Sequence, residues 1–329
     1  MTSRSATRVC IDAPGGPERM RLEQVELPAP GPGEVRIEHE AIGVNFIDVY
    51  HRSGLYPLPA MPSGLGVEAV GRIAEIGAGV EGWSVGDRVG YAGGVPGAYA
   101  SARTLPAAQL VGVPGEIDAP SAAAVLLKGM TVEYLVRRCV RVERGMTVLW
   151  HAAAGGVGLL AMQWLREIGV TVIGTVGNEA KAALAREHGC THPIVVRGGD
   201  FVARVHELTG GRLCDVVYDS VGRDTLAGSL ACVRPRGTLV SFGNASGPPP
   251  PIDPLELGRR GSLYLTRPSL FDYTGDPQER RQSAAAVFER VARGVLRPVV
   301  GMRLPLQQAA EAHRALESRA TTGAIVLVP

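Results

Sequence analysis

The order of apolar and polar positions divides the chain into two kinds of segment. Over residues 8–110 the apolar runs are short, β-prone and cut by glycine and proline, at 35–44, 69–76, 88–92 and 99–104. That pattern predicts a compact β-rich domain with irregular connections. After Gly145 the period changes. Residues 147–152 form an apolar β-type run, glycines follow, and then Val157, Leu160, Ala161, Trp164, Leu165 and Ile168 recur at helical spacing before Gly169. The spacing predicts a strand, a turn and a helix closed by glycine. Strands are predicted at 171–176, 194–196, 215–219 and 238–242, alternating with helices at 179–188, 201–209 and 224–233. Alternation of this kind predicts an α/β domain with a parallel, doubly wound sheet. Residues 247–254 include four consecutive prolines and read as a surface loop near the end of that domain. Helical spacing returns at 278–293 and 306–319, and 324–328 reads as a closing strand.

Composition changes this picture little. A length of 329 residues suggests two domains. With 45% apolar and 20% charged residues, disorder, collagen and coiled coil are excluded. The 34 basic and 32 acidic residues are spread along the chain, so neither nucleic acid nor an anionic membrane is expected as a partner. Residues 1–20 hold Arg4, Arg8, Asp12 and Glu18 and no apolar stretch fit for a secretory signal, so the cytoplasm is expected. The longest apolar runs, 122–127 and 324–328, fall well short of the roughly 18 residues of a membrane span. Five scattered cysteines, with no Cys-x-x-Cys, predict buried small side chains rather than disulfides or a zinc lobe. Only Lys128 and Lys181 are lysine, against 32 arginines, a bias that leaves two positions to explain.

The candidate chemistry begins at Ala152, Ala153, Ala154, Gly155, Gly156, Val157 and Gly158. In the spacing of a dinucleotide-binding turn, the first glycine is replaced by Ala153 and the others are Gly155 and Gly158. Small residues allow a tight turn and close approach to a pyrophosphate, whose charge meets the amides of a helix N-terminus. About 20 residues on, where an NAD-preferring site carries a carboxylate, the chain has Gly177 and Asn178, then Lys181 one helical turn later. A cation there suits a 2′-phosphate, so NADPH is the expected cofactor. Glu179 could point either way, and Lys181 is otherwise a solvated first-turn residue.

Eight strings then carry a likeness over nearly the whole chain: AIGVNFIDVYHRSGLYP, PSGLGVEAVG, LLKGMTVEYL, HAAAGGVG, VVYDSVGRDT, SFGNASG, GSLYLTRPSL and LESRATTG. They resemble the quinone oxidoreductases, the zeta-crystallin-like, zinc-free branch of the medium-chain dehydrogenase/reductase superfamily. The resemblance implies a GroES-like catalytic domain from residues 1–129 and 268–329, a Rossmann NADP-binding domain over 130–267, and a homodimer. It implies NADPH contacts at Phe46, Ile47, Asp48, Val49, Tyr50 and Tyr134, then Gly156, Val157, Gly177, Asn178 and Lys181. Near the nicotinamide it implies Val221, Phe242, Gly243, Asn244, Ala245, Arg267, Pro268, Ser269 and Arg319. One departure is Val196, where the family often has a tyrosine on the 2′-phosphate side, which points to weaker cofactor selectivity.

Zinc-dependent relatives hold their metal at places that here read Asn45 to Asp48, Gly66-Val67-Glu68 and Lys128-Gly129. Asn45, Val67 and Lys128 are not zinc ligands, so no catalytic metal is expected. The seven histidines are dispersed and read as surface or capping residues. Without a Lewis acid an unactivated alcohol is hard to oxidise, whereas a quinone, or an enone or alkenal, holds incoming charge on conjugated oxygens. Asn45 and Tyr50 are expected to line the acceptor pocket with Tyr56 near its mouth, Asn45 donating to the developing oxyanion; packing and loop order are the alternative for all three. Lys128 either supplies positive charge beside the acceptor oxygen, anchors Asp48 or Glu68, or fixes the hinge between domains through carbonyl contacts. The expected activity is NADPH-dependent quinone reduction, with 2-alkenal or enone reduction as the near rival. A non-catalytic RNA-binding or crystallin-like role is the distant one, poorly supplied with aromatics at 5%.

Overall fold

A computed structural model describes residues 4–196 and 201–329. The chain separates into two compact units, one of Met1–Met130, Tyr273–Arg293 and Pro298–Pro329, the other of Thr131–Asp272 and Gly294–Arg297.

The first unit begins with strands β1 (Arg4–Ile11), β2 (Arg21–Leu27), β3 (Glu34–Val44), β4 (Ser63–Gly64), β5 (Glu68–Ile76), β6 (Arg88–Ala92), β7 (Ala102–Pro106) and β8 (Val111–Gly112). Helix α1 (Phe46–Ser53) lies between β3 and β4, and α2 (Ala119–Tyr134) follows β8. The β-rich reading of this region holds, but both helices escaped it. α2 is apolar on nearly every side, with Ala122, Ala123, Val125, Leu126 and Val132 all fully buried. A helix buried all round shows no polar stripe, so its period is invisible.

The second unit carries β9 (Thr147–Trp150), β10 (Thr171–Val176), β11 (His192–Val195), β12 (Cys214–Asp219), β13 (Val233–Ser241) and β14 (Tyr264–Thr266). Between and after them come α3 (Gly156–Ile168), α4 (Glu179–Glu187), α5 (Phe201–Leu208), α6 (Leu226–Ala231), α7 (Pro254–Arg259) and α8 (Leu270–Tyr273). The six strands are all parallel, in the order β11-β10-β9-β12-β13-β14. This is the doubly wound order whose direction reverses between β9 and β12, and ligands bind such sheets at the carboxyl ends flanking that reversal. Its core on one face is Leu149, Ile173, Val217 and Leu239 against Phe201, Leu226 and Leu230.

The chain then returns to the first unit through α9 (Pro277–Ala292), β15 (Val300–Pro305), α10 (Ala309–Glu317) and β16 (Ala324–Val328). β16 lies between β15 and β3, parallel to the one and antiparallel to the other, inside a sheet that continues through β5, β6 and β8. The core beneath includes Ile37, Ile42, Leu65, Tyr91, Tyr99, Leu105 and Leu327. Four cysteines are buried as expected, and Cys139 is half-buried. The histidines correct the sequence reading: His39, His151 and His313 are buried, two of them fully, and each is hydrogen-bonded. Polar contacts across long sequence separations leave no local signal for such burial. No helix among the described residues is long and apolar enough to cross a membrane.

Candidate active site

In the second unit β9 ends at Trp150 and the chain turns at Ala152, which has φ 54°, before α3 starts from Gly155 without a side-chain cap. The first amides of α3 and its positive dipole end are thereby offered to an anion. A Cβ at Gly158 would overlap the Ala152 carbonyl oxygen and stand 2.7 Å from the Ala153 carbonyl carbon, so only glycine fits. The alanine at the first glycine position is accommodated from the neighbouring strand: a Cβ on Gly174 would lie 2.7 Å from that of Ala153. Ala153 is fully buried, its amide bonded to Thr175 O at 3.0 Å. Turn and helix thus fit the pyrophosphate of a dinucleotide.

At the end of β10, Gly177 faces open space and Asn178 caps α4, its Oδ1 accepting from the Lys181 amide at 2.9 Å. Lys181 is half-buried, which lowers its ammonium pKa, and Glu179 is exposed. Val196 packs half-buried against the core.

At the reversal of the sheet, the ends of β9 and β12 are joined by a buried polar network. His151 Nδ1 meets Thr175 Oγ1 at 2.8 Å and its Nε2 meets Ser229 Oγ at 2.9 Å. Ser229 donates to Asp219 Oδ2 at 2.6 Å. The same carboxylate accepts the amides of Val221 (2.8 Å) and Gly222 (2.9 Å) and the Thr225 hydroxyl. Burial lowers the pKa of His151 while the charge of Asp219 acts to raise it. The loop after β13 is laid against this one: Phe242 N donates to Asp219 O (2.8 Å) and Ala245 N to Ser220 O (3.1 Å), and a Cβ at Gly243 would lie 2.9 Å from Ser220 Cα. Arg267 Nη1 donates to Ser241 O at 2.8 Å. With the Asn244 amide turned to satisfy its neighbours, its oxygen accepts from Arg267 Nη2 at 3.0 Å. Val221, Phe242 to Ala245 and Arg267 therefore form one loop cluster, with half-buried Pro268 and Ser269 after it. Tyr134 is buried.

In the first unit α1 presents the other predicted residues. Asp48 Oδ2 accepts the Asn45 amide at 2.8 Å, closing the helix start, and also accepts from Tyr99 Oη at 2.9 Å. Asp48 is fully buried, and desolvation pushes its carboxyl up to about 7. Tyr99 Oη lies 3.0 Å from Nε2 of His313, whose pKa burial depresses to about 3. Along α1, Phe46, Tyr50 and Tyr56 make an aromatic row with ring separations of 6.2 Å and 5.0 Å. Phe46 and Ile47 are half-buried, while Val49 and Tyr50 are buried. Arg52 forks onto Glu317 at 3.0 and 2.7 Å, tying α1 to α10, and exposed Arg319 follows with φ 55°.

Asn45 and Lys128 converge on a residue the sequence offered only as a possible anchor, Glu68. Its Oε2 accepts Asn45 Nδ2 at 2.9 Å, its Oε1 accepts the Leu127 amide at 2.6 Å, and Lys128 Nζ stands 3.5 Å from Oε2. Asn45 Nδ2 also donates to Gly43 O at 3.3 Å. Both amide hydrogens are therefore engaged, and the side-chain oxygen faces the Asp48 backbone amide in the capping box that starts α1. The expected donor role for Asn45 does not fit this arrangement. Lys128 makes an ion pair, not the carbonyl contacts of a hinge. A Cβ at Gly43 would overlap Glu68 Oε2, so the carboxylate can sit here only over glycine. Glu68 and Lys128 lie far from Asn45 in sequence, so no spacing pattern signals the cluster. The donor set does not suit zinc: an amide whose hydrogens are taken, one carboxylate and an ammonium that already supplies the positive charge. Among the described residues no group of three His, Cys, Asp or Glu side chains could hold a metal ion.

A doubly wound nucleotide unit placed in sequence within a GroES-like unit defines the medium-chain dehydrogenase/reductase class. Residues 31–115 match the alcohol dehydrogenase GroES-like domain and 156–286 the zinc-binding dehydrogenase family. The chain is 48% identical to a quinone oxidoreductase of Pseudomonas aeruginosa over 98% of its own length and 100% of that protein. It is 45% identical to a 2-haloacrylate reductase of a Burkholderia species, covering 97% of this chain and 98% of that one. The crystal structure of Escherichia coli quinone oxidoreductase complexed with NADPH superposes with a TM-score of 0.96 at 44% identity, over 98% of this chain and 100% of that one. Within its class the chain belongs to the quinone oxidoreductase family.

Proposed function

We propose that this protein is an NADPH-dependent quinone reductase that works without a catalytic metal. The observation that carries this is the superposition on the NADPH complex of a quinone oxidoreductase at TM-score 0.96, together with a turn before α3 that accepts only glycine at 158. Bound NADPH supplies a hydride. The chain's residues bind, orient and exclude water. Gly155, Gly156, Val157 and the N-terminus of α3 hold the pyrophosphate, and Lys181 pairs with the 2′-phosphate. The loops at Val221 and at Phe242 to Ala245, with Arg267, Pro268, Ser269 and Arg319, border the nicotinamide side. Asn45, Tyr50 and Tyr56 line the acceptor pocket. Tyr50 and Tyr56 offer ring faces to a planar acceptor, and Asn45, held by Glu68, gives the pocket a fixed polar wall. Phe46, Ile47, Val49 and Tyr134 pack beside the cofactor, and Asp48 acts from within by fixing the start of α1.

We assign residues 1–129 and 268–329 to the catalytic domain and 130–267 to the nucleotide domain, a division that the two compact units support. The protein acts as a homodimer through the outer edge of β14, where Tyr264 is 65% and Leu265 38% exposed on the last strand of the sheet. Five free cysteines suit a reducing compartment, in keeping with the cytoplasm. Initial rates with NADPH and NADH across quinones and 2-alkenals test the reading. Quinone turnover with NADPH preferred is the expected result, and no NADPH oxidation with any quinone would sink it. The 2-haloacrylate reductase relative favours a second reading, reduction of activated alkenes, which the alkenal arm decides.

A further inference from the structure

The Lys128 ammonium is buried, with a side-chain exposure of 6%, and its Nζ has no hydrogen-bond partner. Its ion-pair partner, Glu68 Oε2 at 3.5 Å, is already occupied by Asn45 Nδ2, and its charge also acts on buried Asp48. Both oxygens of Glu68 thus have closer donors, so the carboxylate places the ammonium without saturating it. An ammonium has three N–H donors, and a protein interior ordinarily pairs each buried donor. A charged group left in this state retains its capacity for an anionic partner that arrives later. Lys128 therefore combines burial, a fixed position, positive charge and unused donors in a cluster that also contains Asn45.

We propose that Lys128 is a catalytic residue, the donor to the acceptor oxygen that becomes negatively charged during reduction. This rests on the reductase reading and adds to it the group that handles charge and proton. A quinone that has taken a hydride, two electrons and one hydrogen nucleus, carries a negative charge on a conjugated oxygen, and NADP+ is left. Lys128 Nζ–H donates to that oxygen and transfers the proton: the N–H bond breaks, the O–H bond of the hydroquinone forms, and the neutral amine takes a proton from water. Glu68 is a positioning residue. It holds the Asn45 amide and keeps the charge of Lys128 beside it. The substrate class follows: acceptors whose oxygen is conjugated with the carbon or ring that takes the hydride.

The probe is 4-nitrophenol, whose phenolate stands in for the hydroquinone anion and absorbs visibly, titrated into the NADP+-loaded enzyme. The wild type should bind the phenolate in preference to the phenol, lowering the apparent pKa of the bound probe by about one unit relative to Lys128→Met. In turnover Lys128→Met should lose roughly 100-fold in kcat with the NADPH KM unchanged. Lys128→Gln, which keeps a donor without the charge, should behave like the Met variant and serves if Met does not fold. Equal phenolate preference in wild type and either variant, with kcat intact, overturns the proposal while quinone reduction stands. Absence of any quinone turnover in the wild type sinks the reductase reading instead, and the phenolate comparison still decides whether Lys128 binds an oxyanion.

Discussion

Each unit buries a polar network, and the two are finished to different degrees. Around Asp219 in the second unit, both imidazole nitrogens of His151 have a partner, and the carboxylate collects two amides and two hydroxyls. Around Asn45, Asp48 and Glu68 in the first unit, buried atoms stand without hydrogen-bond partners: Lys128 Nζ, Asp48 Oδ1 and His313 Nδ1. A closed network makes the ends of two strands rigid, which suits loops that must hold the same shape whichever cofactor redox state is present. An open one costs stability and retains binding capacity. Under the proposal for Lys128, the contrast distinguishes scaffold from chemistry where residue type alone does not, since His151, Ser229 and Asp219 look more catalytic on paper than Asn45, Glu68 and Lys128.

The largest effect should come from breaking the closed network. Asp219→Ala takes the acceptor from the Val221 and Gly222 amides, at about 1–3 kcal/mol each, and from the Ser229 and Thr225 hydroxyls, which keep weaker contacts to His151 and Gly222 O. A fall in melting temperature large enough to deplete folded protein is expected, and a near-wild-type melting curve would show that the network is not structural. The double variant Lys128→Met/Glu68→Gln tests the other side: removing both charges of the buried pair, so that neither is left alone, should leave the melting temperature within a few degrees of wild type or raise it, because the open cluster is not what holds the first unit together. A large loss of stability there would erase the comparison.

Acidity gives a third, intermediate effect. Burial holds His39 at about 4 and His313 at about 3, and also lowers His51. Unfolded histidine takes its proton near 6.5, so their contribution is complete above that pH and is lost as pH falls through the window to about 4 and about 3, at about 1.4 kcal/mol per pH unit per histidine. Asp48, raised from 3.8 to about 7, runs the other way: its contribution is complete below 3.8 and is lost as pH rises through about 7. The histidines outnumber it. The protection of the paired amides of β3 and β16, measured relative to the intrinsic exchange rate at each pH, should therefore fall from pH 6.5 to 4, and Asp48→Asn should steepen the slope. The smallest effect concerns selectivity: Lys181→Glu should reduce the NADPH to NADH ratio of kcat/KM about tenfold, and an unchanged ratio would remove Lys181 from the phosphate site.

Much of the second unit was legible because its signals are local. The strand expected at 171–176 matches β10 residue for residue, as that at 324–328 matches β16 in the first unit, and the turn before α3 announces itself within seven residues. β14 has three residues, two of them exposed, and carries too little pattern to be found. The acceptor side was legible only as a likeness. Asn45, Glu68 and Lys128 meet across a sheet strand and a helix whose sequence positions are unrelated, and an asparagine reads equally as donor or acceptor until its neighbours choose. Tyr99 and His313 are brought together from opposite ends of the chain, which no window of sequence can span.

β16 has a consequence for how the molecule is made. Val44 on β3 pairs with Ile325, so an inner strand of the first unit's sheet, the one between β15 and β3, is supplied only after the whole second unit has been synthesised. Until then the Ile42 to Val44 end of β3 lacks a partner on the side that β7 covers only at residues 34–38, while the parallel sheet, whose strands β9 to β14 follow one another in sequence, is free to form. The nucleotide unit should therefore be the first to resist protease during synthesis. The first unit should remain chaperone-dependent until residues 324–328 have left the ribosome.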